Sequence, residues 1–88
     1  MKKKEVLKVV FRKFNDGEII ALFPQFTNKK RCTIESYMKI GQHGECDPLI
    51  VHDTKLAKES EYKELLNEIK NIYHEYDIKV MKKLIIKW

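Results

Sequence analysis

Glu5-Val6-Leu7-Lys8-Val9-Val10-Phe11-Arg12-Lys13-Phe14-Asn15-Asp16-Gly17-Glu18-Ile19-Ile20-Ala21-Leu22-Phe23-Pro24 is the stretch whose reading decides the fold. Its first ten residues are rich in β-branched and aromatic side chains. Leu7, Val9 and Phe11 fall on one face, with Lys8 and Arg12 on the other, which is the alternation of a strand. Asp16-Gly17 between two apolar runs signals a hairpin, because glycine takes positive φ without steric cost. The return strand covers 18–23, and Pro24, which lacks an N–H, is expected to end it.

Residues 25–31 read as a polar connection to a third strand over 32–40. There Cys32, Ile34, Ser36, Met38 and Ile40 alternate with Thr33, Glu35, Tyr37 and Lys39, placing Cys32 with the buried set. Gly41-Gln42-His43-Gly44-Glu45-Cys46-Asp47-Pro48 reads as a loop, with two glycines and a closing Asp-Pro. Leu49-Ile50-Val51 is a short buried segment or a strand stub. From about 58 to 75 the period becomes helical, with Tyr62, Leu65, Leu66, Ile69, Ile72 and Tyr73 on one stripe. Ser60 is the candidate N-cap, and Glu59, Glu61 and Glu64 suit the positive end of the helix dipole. Residues 77–87 return to strand character, with Ile78, Val80, Leu84 and Ile86 in one phase.

The expected architecture is therefore α+β, a two-layer β-β-β-α-β arrangement in one domain over 1–88. A single helix packs on one face of a four-stranded mixed sheet. Three strands form an antiparallel meander, and a right-handed crossover brings the last strand beside the first and parallel to it, in the order 3-2-1-4. With one helix, the second face of the sheet is left open. Its residues include Lys8 and Arg12 of the first strand and Lys79, Met81, Lys83, Ile85 and Lys87 of the last, a surface both cationic and apolar.

Composition fits a globular chain: 43% hydrophobic and 35% charged residues over 88 positions. No apolar run approaches the ~20 residues that span a bilayer. The first apolar stretch is interrupted by Lys8 and Arg12, unlike a secretory leader. A cytoplasmic setting with reduced Cys32 and Cys46 is expected. The net charge of +5 is uneven: residues 1–44 carry +6, residues 45–77 carry −5 and residues 78–88 carry +4. Such polarity steers an anionic partner to one side. Sixteen of the eighteen cationic side chains are lysine, so planar arginine forks contribute little.

Candidate chemistry lies in two places. The cationic sheet face, with Lys8, Arg12, Lys79 and Lys83, is suited to a protein partner or a second copy of the chain. It is alternatively suited to nucleic acid, with Tyr37 or Phe14 available to stack a base. Against both stands the plain account that lysine stems cover apolar surface while their ammonium groups stay in water. Trp88 either packs back on the domain or docks on a partner. The second place is the 41–48 segment, where Gln42 and His43 are candidate binding residues. His43 and Cys46 there would be a candidate imidazole–thiolate pair. Cys32, His43, Cys46 and His52 supply zinc-ligand types at a spacing that matches no finger or ribbon. No catalytic residue, metal ligand or cofactor is assigned from these patterns.

The stretches Val10 to Pro24 and Tyr37-Met38-Lys39-Ile40-Gly41-Gln42-His43-Gly44 resemble a group of short bacterial proteins, often encoded in phage-like or mobile regions. The resemblance extends through Glu61-Tyr62-Lys63-Glu64-Leu65 and carries no assigned activity. It implies an accessory role and draws notice to Gln42-His43-Gly44. The leading expectation is thus a non-enzymatic interaction domain. A nucleic-acid-binding accessory domain is the alternative, and a small enzyme or metal protein centred on 41–48 is the third.

Overall fold

Burial of an alternating apolar pattern on both sides of one hairpin organises the chain. A computed structural model describes residues 4–39 and 41–88. Strand β1 (Glu5–Lys13) pairs antiparallel with β2 (Ile19–Asn28), with Val10 opposite Leu22 and Lys13 opposite Ile19. Gly17 has φ +93°, as the Asp-Gly turn requires. The Asp16 carboxylate accepts the Glu18 N–H at 3.0 Å and steadies that turn.

Pro24 does not end β2. The strand runs through it and takes an irregularity in its pairing with β3 between Phe23 and Thr27. Proline is tolerated where ladder bonds are already interrupted. The Gln25 side chain supplies replacements: its amide accepts the Lys8 N–H at 2.6 Å and donates to the Val6 carbonyl at 3.0 Å. A side chain therefore continues the ladder where the backbone cannot.

Strand β3 (Thr33–Met38) follows a turn in which Cys32 has φ +54°. Cys32 is exposed, so its expected place in the buried set is corrected; the turn takes it out of the strand's alternation. Ile40, assigned by the sequence to this strand, lies outside the described residues. The expected loop at 41–48 is instead mostly strand: β4 (Gln42–Cys46) pairs antiparallel with β3, Tyr37 facing His43 and Ile34 facing Cys46. Gly41, at φ +67°, makes the intervening turn. A short 3-10 helix (Pro48–His52) takes the place of the stub, with the Asp47 carboxylate accepting the Leu49 N–H at 2.9 Å. The two-residue strand β5 (Lys55–Leu56) leads into helix α1 (Glu59–Ile72). The N-cap is Lys58 rather than Ser60, because the Glu61 carboxylate reaches back to accept the Lys58 N–H at 2.9 Å. Strand β6 (Tyr76–Met81) then lies parallel to β1, Glu5 beside Tyr76 and Val10 beside Met81.

Among the described residues the sheet has six strands, not four, in the order β4-β3-β2-β1, with β5 and β6 sharing the outer edge of β1. The expected central order lies inside this larger sheet. Leu7, Val9, Phe11, Ala21, Phe23 and Tyr37 face α1 and enclose Leu65 and Ile69. Phe11 stacks on Tyr62 with ring centroids 4.3 Å apart.

The second face is the main departure from expectation. Val10, Ile20, Leu22 and Ile34 form a separate buried cluster, covered by Ile50 and Val51 of the 3-10 helix and by Leu84 and Ile86 of the tail. β6 ends at Met81, and bends at Lys82 and Lys83 swing the following residues across this face. Leu84 and Ile86 thus join the face opposite Ile78, contrary to the single phase read from the sequence. Burying those four β-sheet side chains is worth roughly 1.5–3 kcal/mol each, which accounts for the cover. No helix among the described residues is long and apolar enough to cross a membrane.

Candidate binding surface

The second core leaves one part of that face uncovered. Toward the start of β1, Lys8, Lys83 and Lys87 surround a groove of about 550 Å³ whose floor and walls include Pro24, Gln25, Met81 and Ile85. Lys79 adjoins it, since Lys8 and Lys79 are register partners on β1 and β6. All four lysines are exposed. Ile85 is 64% exposed, so apolar surface persists among the ammonium groups. Among the described residues, none of these four lysines is paired with a carboxylate; the ion pairs join Lys13 to Glu61, Arg31 to Glu45 and Lys39 to Glu64. Four cations without counter-ions, beside apolar surface, make a site for a ligand that is anionic and apolar at once.

Arg12 is not part of that surface. Its guanidinium donates to Thr54 Oγ1 at 3.0 Å, to the Val51 carbonyl at 2.9 Å and to the Thr54 carbonyl at 2.6 Å. It fastens the covering segment to β1, and its fork is spent on backbone. Tyr37 is 1% exposed and cannot stack a base. Its hydroxyl donates to the Glu68 carboxylate and accepts the Gly41 N–H at 2.9 Å. Burial first, and then the Glu68 carboxylate, push its pKa above the ordinary phenol value. Phe14 packs against the second core. Neither aromatic residue named for base stacking is offered to solvent as a platform.

Gln42 and His43 lie on β4, at the far end of the sheet from β6. Three strand spacings separate them from Lys8 on β1 and four from Lys79 on β6, about 14 and 19 Å at the usual inter-strand distance. His43 sits edge-on to Tyr37, ring centroids 4.6 Å apart, and its Nε2 is 3.1 Å from the Tyr73 hydroxyl. Burial, and then the charge of Glu35, raise the Tyr73 pKa, so this partner stays a neutral phenol. Cys46 points to the opposite side of β4, where it joins the second core. Alternation along one strand therefore divides His43 from Cys46, and the imidazole–thiolate pair is not assembled. Burial and the Asp47 charge also raise the Cys46 pKa, holding it as the thiol. The same division breaks up the two-Cys, two-His set, and among the described residues no group of three or more His, Cys, Asp or Glu side chains gathers to hold a metal ion.

Trp88 is 46% exposed and does not belong to the cluster joined by Leu84 and Ile86. Of the eight residues singled out from sequence, the fold thus gathers Lys8, Lys79 and Lys83, and places Arg12, Tyr37, Gln42 and His43 elsewhere. The partners the sequence reading left without a role are Pro24 and Gln25. In the sequence Pro24 reads as a stop signal, and Gln25 carries no pattern of its own. Comparison with family models, with curated proteins and with solved structures gives no match.

Proposed function

We propose that this protein is a non-enzymatic binding module that takes an acidic, apolar-bearing segment of a protein partner in the groove formed by Lys8, Lys83 and Lys87, with Lys79 at its border. The observation that carries the reading is the meeting of uncompensated lysines with the apolar surface of Met81, Ile85 and Pro24. An apolar floor rewards aliphatic side chains, and the cationic rim rewards flanking carboxylates. Nucleic acid is the weaker ligand here. Both guanidinium groups are engaged within the chain, by Thr54 and Val51 for Arg12 and by Glu45 for Arg31, and Tyr37 is enclosed. The cytoplasmic setting inferred for the module is supported by its two free thiols, Cys32 and Cys46.

Fluorescence anisotropy tests the reading with three probes of equal charge: a peptide alternating Glu and Leu, polyglutamate, and a single-stranded random oligonucleotide. The Glu-Leu peptide should bind most tightly, and Lys8→Glu/Lys83→Glu should weaken it at least tenfold. Lys63→Glu, on the exposed side of α1, should leave it unchanged. Absence of peptide binding, or tighter binding of the oligonucleotide, overturns the proposal.

A further inference from the structure

Strand β4 pairs with β3 along one side, and among the described residues its other side has no strand partner. A bare strand edge is a template for another chain, and monomeric proteins ordinarily blunt it with lysine, proline, a bulge or a covering segment. The opposite edge of this sheet follows that rule: β6 carries Lys79 and is followed by Lys82 and Lys83. β4 does not. It is Gln42-His43-Gly44-Glu45-Cys46, without a single lysine in a chain of sixteen, and its register with β3 is unbroken over five pairs.

The same five residues are complementary to themselves. In an antiparallel pair of identical strands, residues that face each other share parity, so the two-fold axis must pass through a residue. Only an axis at Gly44 uses all five. It sets Gln42 opposite Cys46, His43 opposite Glu45, and Gly44 opposite Gly44 of the second copy. His43 and Glu45 lie on one side of the sheet, opposite Tyr37 and Glu35 of β3. Each keeps capacity for a further bond. His43 meets Tyr73 through Nε2, leaving Nδ1, and Glu45 receives Asn28 on one oxygen and Arg31 on the other. A carboxylate accepts about four bonds. At the axis itself, the two glycines face each other with no side chains to clash on the sheet face.

We propose that two copies of this chain associate through β4, antiparallel about an axis at Gly44, so that their two sheets become one and His43 of each copy meets Glu45 of the other. This interface shares no residue with the lysine groove, which is lined from β2, β1, β6 and the tail.

A disulfide trap reads the register directly. Facing residues in an antiparallel pair have Cα atoms about 4.5–5.5 Å apart, inside the range a disulfide spans. A Cβ added at Gly44 meets only Ser36 Oγ, at 4.0 Å, and the position has no positive φ, so Gly44→Cys is accommodated. In a Cys32→Ser/Cys46→Ser background, Gly44→Cys should form a covalent dimer under mild oxidation at least tenfold faster than Asn67→Cys on α1. Sedimentation equilibrium on the native chain should show a concentration-dependent dimer. His43→Glu should weaken it at least tenfold, and the exchange His43→Glu/Glu45→His should restore it. A native chain that stays monomeric at millimolar concentration overturns the proposal. So does a Gly44→Cys cross-linking rate no greater than that of Asn67→Cys, or an exchange variant that fails to recover association while remaining folded by circular dichroism.

Discussion

Replacing Arg12 with methionine should destabilise the fold severely and leave anionic binding almost untouched. The guanidinium makes three bonds to the segment that covers the second core, two of them to carbonyls of Val51 and Thr54. Methionine keeps much of the stem volume and removes every donor. Each of the three part-buried acceptors left without its partner costs roughly 1 kcal/mol, the lower end of the usual range. The total is about 3 kcal/mol. For a domain of this size that lowers Tm by about 12–24 °C, at 4–8 °C per kcal/mol. Urea unfolding followed by circular dichroism measures the loss, and an unchanged m-value assigns it to the native state. Arg12→Lys should recover less than half, because one ammonium cannot reproduce the fork. A loss under 1 kcal/mol would refute the bracing role. A variant of full stability that no longer bound the Glu-Leu peptide would return Arg12 to the binding surface.

Tyr37→Phe removes a buried hydroxyl that serves both Glu68 and the Gly41 N–H, and should cost about 1–2 kcal/mol in the same urea assay. Because the folded-state pKa of Tyr37 is raised, stability should be complete below the ordinary phenol pKa and fall as pH rises above it, since the unfolded chain ionises first. The Phe variant should show less of that alkaline loss. Leu84→Ala thins the cover over Val10 and Leu22; it should cost about 1–2 kcal/mol for a half-buried leucine and raise binding of a hydrophobic dye at intermediate urea.

The hairpin, the helix and the parallel last strand were legible because each is written in local pattern: Asp16-Gly17 for the turn, a three-and-four spacing from Tyr62 to Tyr73, and β-branched residues around Val80. β4 was not, because Gln42-His43-Gly44-Glu45-Cys46 has the composition of a loop. It becomes a strand through the backbone bonds that β3 offers it, and propensity is a weak guide at such an edge. Pro24 misled in the other direction, since the donor it lacks is supplied by the side-chain amide of Gln25, which donates to the Val6 carbonyl. The covering of the second face was hidden in the tail. Leu84 and Ile86 keep the alternation of β6, but the bends at Lys82 and Lys83 change the face they reach. That single change turned an expected open platform into a groove. It retained Lys8, Lys79 and Lys83 as a group, while Arg12, bonded to Val51 and Thr54, braces the other part of the cover.

The outer edge of β1 is divided between β5, which runs against it, and β6, which runs with it. In chain order β1 therefore precedes every other strand, and β6, its partner along that edge, follows all of them. Until β6 is released, Val6 to Val10 present an unzipped, sticky border to every other nascent chain nearby, and final closure depends on a contact of the longest sequence separation the topology contains. The topology thus joins the least local pairing of the sheet to the strand that is first in the chain.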